Sequence, residues 1–525
     1  MELVNNTMRL CPETLNLLPR DIALPFYKRE DLAIGIVHLG IGVFPRAHLA
    51  VATEKAIQAT GDMRWGICGV SMRQTSTRDA LLPQSWLYSV TERSLGTNGN
   101  VRTNIRIVGV LKEVLVAPES PQMVLERIAS SATKIISITV TEKGYCHNPT
   151  TGEPDFSHPA VVWDLGHPNN PCSIAGFIVY GLLLRQERNL GGLTIMSLDN
   201  IPHNGFLVRS LILGFASRIN KDLAQWIEKN CTFPSSMVDR IVPATTTSDI
   251  DEMQKVLGVR DEWPVLCESF FDWAVEDAFV SGRPCWEQGG ARIVADSSPY
   301  EKMKLRIVNA AHSLLSWSGL FLGYETVDST VQDPLIRDYL KTVIKNEIIP
   351  TLDPVDICYE DYLGRVLERF GNPTLNHKLA KIVMDSSQKL PPRILEPIYD
   401  LLDKNMAIDG LCLGVALCIN FMQHQLEQKP ESHLDDPQAE AIKNEMMRTG
   451  LIFQNCFPGS EYESHSSAEN TVALSEGIRK FLFYEPLFGS IGKKERFAIT
   501  TTRLFLLIKL QGVEAAMKYY LELHV

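Results

Sequence analysis

Between residues 31 and 220 short apolar runs alternate with amphipathic stretches. The runs IGIVHLG (34–40), WGICGVSM (65–72), NIRIVGV (104–110), KIISITV (134–140) and LTIMSLD (193–199) are rich in β-branched residues and have the length of strands. AHLAVATEKAIQAT and PQMVLERIAS between them carry apolar residues at helical spacing. Strands alternating with helices predict βαβ units and a mostly parallel sheet. From about residue 300 the texture changes. YEKMKLRIVNAAHSLLSWSGLFLGY, PLIRDYLKTVIKNEII, YEDYLGRVLERF, LNHKLAKIVMDSS and IDGLCLGVALCINFMQHQLEQ follow one another, all with helical periodicity. The boundary is expected near VADSSPYE (294–301), which divides the chain into an α/β domain over 1–296 and a mainly α-helical domain over 297–525. The polar stretch QKPESHLDDPQAE (428–440) is expected to be an exposed loop.

Length and charge narrow the classes. A chain of 525 residues is too long for one ordinary domain. A net charge of −11 argues against a nucleic-acid or anionic-membrane surface. The chain has no apolar run of membrane-spanning length, and MELVNNTMRL has no basic segment followed by an apolar core. A soluble, cytoplasmic protein is therefore expected. The 11 cysteines are scattered, with Cys412 and Cys418 the closest pair, so reduced thiols are expected rather than disulfides or a zinc site.

The stretch GIVHLGIGVFPRAHLA reads as strand, Gly40-x-Gly42, then helix: the first βα turn of a Rossmann-type dinucleotide-binding domain. The third glycine of the usual fingerprint is replaced by Pro45, which a first helical turn accepts. Gly40, Ile41, Gly42 and Phe44 are the loop's cofactor candidates, and Arg46 is expected to reach a phosphate oxygen. No acidic residue stands at the end of the second strand to hold an adenosine ribose; the turn offers Arg73 instead. By that feature NADP fits as well as NAD.

The helix KLRIVNAAHS poses the sharpest chemical question. At about 100° per residue, with Lys304 at zero, Glu301 falls near 60°, His312 near 80° and Asn309 near 140°. Polar groups thus share one face of an otherwise apolar helix. A buried charge is costly unless it is paired or used. Desolvation pulls a lysine toward neutrality, and a neutral amine can take the proton of a secondary alcohol. Amide N–H groups can hold the developing alkoxide. No metal is required. A second candidate amide, Asn200 in SLDNIPHNG (197–205), follows a strand end in the sheet half, where open α/β sheets bind ligands. Asp199 beside it also fits a helix cap.

These stretches, with SITVTEKGY (137–145), FPSSMVDRIVP (233–243), ESFFDWAVEDAFVSGRP (268–284) and RFGNPTLNH (369–377), resemble the mannitol dehydrogenase family of long-chain polyol dehydrogenases, which includes the hexuronate reductases. The resemblance spans nearly the whole chain. It implies a Rossmann-type domain joined to a helical one, with the active site between them. It implies Lys304 as general base, Asn200 and Asn309 as the oxyanion hole, His312 as a substrate-orienting group and Glu301 as a gate for proton release. Val238 and Asp239 of MVDR match substrate-pocket positions, as does Lys381. Mannitol dehydrogenases carry arginine at this last position, and lysine cannot reproduce its planar fork. MDSSQKLPPR (384–393) and SMRQTSTRD (71–79) lean toward the uronate reductase branch, which mainly uses NAD; DNIPHNG, with His203, leans back toward mannitol dehydrogenases.

The function expected from the sequence is an NAD-dependent secondary-alcohol dehydrogenase acting on an open-chain sugar acid or sugar alcohol. D-mannonate/D-fructuronate ranks slightly ahead of D-mannitol/D-fructose. A non-catalytic NAD-binding sensor is a further alternative, against which the complete Lys304, Asn309, Asn200 and His312 set argues. No nucleic-acid or membrane partner is expected, and the family suggests a monomer or weak oligomer.

Overall fold

The computed structural model describes residues 3–4, 7–96, 100–148, 151–375, 377–427, 434–452 and 468–524. Residue 376 of the RFGNPTLNH motif and residues 428–433 of the expected loop at 428–440 therefore lie outside the described residues; in the rest of that stretch Leu434, Asp436 and Ala439 are buried and a helix begins at Ala439, so it is not an exposed loop throughout. The chain forms two compact units, Met1–Glu301 and Lys302–Val525.

In the first unit, β1 (Ile34–Leu39) leads into α1 (Val43–Ala47) and α2 (Leu49–Thr60), followed by β2 (Gly66–Ser71). Then come β3 (Tyr88–Leu95), β4 (Val101–Val108), β5 (Leu111–Val116), α3 (Pro121–Ile128), β6 (Ile135–Ile138), α4 (Ile174–Glu187), β7 (Thr194–Ser197) and α5 (Asn204–Ile219). Four short strands follow: β8 (Ser236–Asp239), β9 (Val265–Glu268), β10 (Asp272–Glu276) and β11 (Arg292–Val294). The principal sheet is wholly parallel in the order β5-β2-β1-β6-β7. This is the doubly wound Rossmann order, and it reverses between β1 and β6, where such sheets open a ligand crevice.

Both faces of this sheet are covered, which is why its strands read as unbroken apolar runs rather than as alternation. Val37 and Leu39 of β1 pack with Ile136, Ile138, Phe177, Leu211 and Phe215 on one side. Ile36, Ile67 and Val114 pack with Ala52 and Ala56 of α2 on the other.

The third apolar run of the sequence, 104–110, does not belong to this sheet. It lies mainly in β4, which pairs antiparallel with β3 in a separate sheet ordered β9-β3-β4. The edge strand of the parallel sheet is β5, whose apolar run is interrupted by Lys112 and Glu113. Glu54 of α2 fixes its start: one carboxylate oxygen accepts from the backbone N–H of Gly109 and Val110, at 2.9 Å each, and from the Tyr27 hydroxyl at 2.7 Å.

In the second unit the regular elements among the described residues are helices. The helix α6 (Ser298–Met303), begun in the first unit, runs into a π-helical turn over Lys304–Asn309 and then into α7 (Ala310–Phe321). The five-residue hydrogen bond of that turn is explicit: Ala310 N–H donates to the Leu305 carbonyl. Further on lie α8 (Tyr359–Phe370), α9 (Asp409–Glu427) and α10 (Glu495–Glu522). No helix among the described residues is long and apolar enough to cross a membrane. The buried Glu347 caps α9, accepting from Gly410 N–H (2.7 Å), Leu411 N–H (2.8 Å) and the Tyr520 hydroxyl (3.1 Å).

Burial pushes the carboxyl groups of Glu54 and Glu347 up to about 7, against the N–H donors that favour ionisation. The folded chain therefore holds protons that the unfolded chain releases near 4.5. The sign follows from linkage: the stability tied to these groups is complete below the unfolded value and is lost as pH rises toward about 7. Urea midpoints measured from pH 5 to pH 7.5 should fall more for the wild type than for Glu54→Gln or Glu347→Gln; parallel curves would refute the assignment.

Candidate active site

In the first unit the crevice is lined by the loops that follow β1, β6 and β7. Gly40, at φ +96°, turns the chain sharply, and a Cβ there would lie 1.9 Å from the Thr139 carbonyl oxygen, so only glycine fits. Its N–H donates to Val70 O at 2.9 Å, and its carbonyl accepts from Gly42 N–H at 2.7 Å. Gly42 is exposed, with nothing closer than 4.0 Å to the position of a Cβ. That open room at the start of α1 fits close approach of a pyrophosphate. Ile41 is buried over Gly69 and shapes the loop from beneath. Phe44 stacks on His48 with ring centroids 4.9 Å apart. Arg73 is exposed just beyond β2, at the ribose end of such a crevice.

Arg46 does not take the expected place at a phosphate. It is fully buried, donating to Gly42 O (3.1 Å) and Trp263 O (2.7 Å) and lying over the Tyr88 ring. An arginine on the inner face of a short helix is drawn to the unpaired carbonyls of the interior, and the sequence alone does not tell which face that is.

At the end of β7, Asp199 is a clamp rather than a helix cap. It accepts from the N–H groups of Val140 (2.9 Å) and Thr141 (3.0 Å) and from the Tyr145 hydroxyl (2.8 Å). The Ser197 hydroxyl donates to Tyr145 Oη at 2.6 Å. Burial raises the Asp199 carboxyl above its ordinary value against these donors. Thr141 is held at φ +63°, a strained conformation for a β-branched residue. Asn200 follows, exposed at the strand end. The Asn204 amide clasps β8 in both directions, donating to Ser236 O (2.8 Å) and accepting from Ser236 N–H (2.9 Å). This fixes the strand that carries the buried Val238 and Asp239. Glu301 is half-buried, and its carboxylate accepts from His203 N–H at 3.2 Å.

In the second unit the π-turn sets the chemistry. Lys304 is buried, at 7% exposure. Asn309 lies five residues on, one hydrogen-bonded π-turn away, and its side-chain amide makes no hydrogen bond among the described residues. Arg306 anchors the turn by donating to Thr351 O at 3.2 Å and to Asp400. His312, in the first turn of α7, stacks on Phe370 at 4.0 Å and meets His377 edge-on at 5.5 Å. Its Nε2 is enclosed and unpartnered among the described residues. Burial first, then the charges of His377, Arg369, Arg393 and Lys304, hold its pKa well below the ordinary histidine value.

Arg393, in a second π-turn (Pro391–Leu395), is the group that sequence reasoning missed, although it ends the quoted run MDSSQKLPPR. Its Nη1 donates to Asn309 O (3.1 Å) and Ser313 Oγ (3.0 Å). No carboxylate pairs with it among the described residues, and burial lowers its pKa to about 10. Its Nε and Nη2 N–H groups, the side fork suited to a carboxylate, carry no hydrogen bond there. Lys381 is exposed in the last turn of the short helix Leu379–Ile382, so the guanidinium against Asn309 comes from Arg393 instead.

Residues 34–288 match the mannitol dehydrogenase Rossmann domain and residues 296–461 the mannitol dehydrogenase C-terminal domain. A D-mannonate oxidoreductase of Escherichia coli is 40% identical over 422 residues, covering 79% of this chain and 85% of the relative. A mannitol dehydrogenase of Saccharomyces cerevisiae is 37% identical over 448 residues, covering 83% and 87%. The solved ternary complex of Pseudomonas fluorescens mannitol 2-dehydrogenase with NAD and D-mannitol aligns with a TM-score of 0.77 at 32% identity, covering 98% of this chain and all of the other.

The environment of His312 predicts an imidazole that stays neutral throughout the physiological range. In nitrogen-detected NMR of the histidine side chains, the resonance lost in His312→Gln should not move between pH 8 and pH 5.5. A midpoint near the ordinary histidine value would contradict the enclosure of the ring.

Proposed function

The chain belongs to the mannitol dehydrogenase family, and from that premise we propose that it is an NAD-dependent enzyme interconverting D-mannonate and D-fructuronate. NAD supplies the hydride acceptor when bound, held by the Gly40–Gly42 turn with Ile41, Phe44 and Arg73. The Lys304 amine takes the proton of the carbinol oxygen. The side-chain N–H groups of Asn309 and Asn200 donate to the oxygen as it gains charge. His312, neutral and with Nε2 unpartnered among the described residues, hydrogen-bonds a neighbouring substrate hydroxyl. Glu301 passes the proton onward, and Val238 and Asp239 shape the pocket. The alcohol thus loses one hydride and one proton and becomes the ketone.

The observation that carries the choice of a sugar acid is Arg393. A guanidinium beside Asn309 that has no carboxylate partner among the described residues, and no hydrogen bond at its side fork there, suits a substrate that brings its own carboxylate. D-mannitol offers no such group. Similarity to a mannitol 2-dehydrogenase solved with D-mannitol makes the hexitol the reading to test against.

Turnover followed at the reduced-nicotinamide absorbance band should be faster with D-mannonate than with D-mannitol at matched concentration. Arg393→Met should raise KM for D-mannonate about 10- to 100-fold, with a much smaller effect on D-mannitol. Equal losses on both substrates would mean that Arg393 does not meet the carboxylate. Lys304→Ala should lower kcat about 10²- to 10⁴-fold. In the wild type, alcohol oxidation should rise with pH to a plateau as the amine deprotonates; a flat profile would remove Lys304 as the base.

A further inference from the structure

His38 lies in the middle of β1, fully buried in the sheet and remote in role from the proton-transfer groups. Its Nδ1 is 2.8 Å from Ser137 Oγ, and its Nε2 is 2.8 Å from Thr139 Oγ1. The Thr139 hydroxyl in turn donates to Gly40 O at 2.8 Å. This last bond settles the tautomer. A hydroxyl has one proton, and that of Thr139 is engaged by Gly40 O, so at Nε2 the imidazole must be the donor. Nδ1 is then the acceptor, receiving the Ser137 hydroxyl proton. The result is a one-way chain: Ser137 O–H to Nδ1, Nε2–H to Thr139, Thr139 O–H to the Gly40 carbonyl. Burial holds the ring neutral, with a pKa of about 3, so the chain keeps this direction across the working pH range.

The chain ends on the residue that most needs it. Gly40 has no Cβ to confine it, and at φ +96° the orientation of its peptide is set by hydrogen bonds rather than by sterics. The Gly40 carbonyl that Thr139 holds also accepts from Gly42 N–H. We propose that His38 is a positioning residue for the cofactor loop, acting through the Thr139 hydroxyl to hold the Gly40 peptide so that Gly42 is presented to the dinucleotide pyrophosphate. This rests on the reading that the Gly40–Gly42 turn binds NAD. A preorganised loop binds without first ordering itself, so the relay acts on cofactor affinity and leaves the chemical step alone.

The test is made on the full chain with NAD as titrant. Thr139→Val keeps the shape and removes the hydroxyl; Thr139→Ser restores it. Affinity is read by quenching of protein fluorescence, at a temperature where melting curves show each variant folded. Thr139→Val should raise the Kd and the KM for NAD about five- to tenfold, with kcat at saturating NAD close to that of the wild type. Thr139→Ser should return both to within about twofold of the wild type. A purely structural threonine would lower the melting temperature without this split. His38→Leu combined with Thr139→Val should bind NAD no more weakly than the weaker single variant, because both break one relay. Wild-type affinity in Thr139→Val, or additive losses in the double variant, would overturn the inference alone. A wild-type chain that binds no NAD would overturn the underlying reading as well.

Discussion

A π-turn gives up regular helical hydrogen bonding in exchange for a change of phase, and the second unit is organised around one. On an ordinary helix Lys304 and Asn309 stand about 140° apart. Five-residue pairing over Lys304–Asn309 makes them consecutive on one hydrogen-bonded turn. The neighbouring structure holds that geometry. Arg306 ties the turn to Thr351 and Asp400, and Arg393, from another π-turn, caps the Asn309 carbonyl. With the phase set there, α7 continues and brings His312 onto Phe370.

The first unit solves a different problem. A parallel sheet places its loops at one edge but does not by itself fix them. Side chains from the strands and from the loops themselves do. Thr139 holds Gly40, Asp199 holds Val140 and Thr141, and Asn204 holds Ser236 ahead of Val238 and Asp239. The segment 139–141 is therefore tied at both ends: to the glycine loop through a hydroxyl, and to the strand bearing Asn200 through a carboxylate. The strain at Thr141 persists because both ties over-determine it.

Electrostatics links the helical site to its proposed substrate. Burial first, and then the charges of His377, Arg369, Arg393 and Lys304, push His312 toward its neutral form. Arg393, which has no carboxylate partner among the described residues, is the cation that a substrate's own anion would pair. A neutral imidazole and an uncommitted amide beside it are the groups expected to meet hydroxyls. A sugar acid carries both kinds of group and a sugar alcohol only one.

The sequence by itself determined much of the frame. Strands buried on both faces leave unbroken apolar runs, and four of the five parallel strands were legible for that reason. The glycine turn after β1, the change to helical periodicity near residue 300, and the polar face of the Lys304 helix were also legible, because each is a local pattern. Partnership was not. Residues 104–110 have the texture of a sheet strand yet lie mainly in another sheet, while Lys112 and Glu113 hide the true edge strand. Arg46 follows the phosphate loop in sequence but points into the interior. Lys381 occupies a pocket position by resemblance yet is exposed, and Arg393 meets Asn309 from 84 residues away. Spacing along a chain records which groups share an element. Which side chain of a distant element reaches them depends on packing and on π-turns that no periodicity announces, and only the tertiary structure decided it.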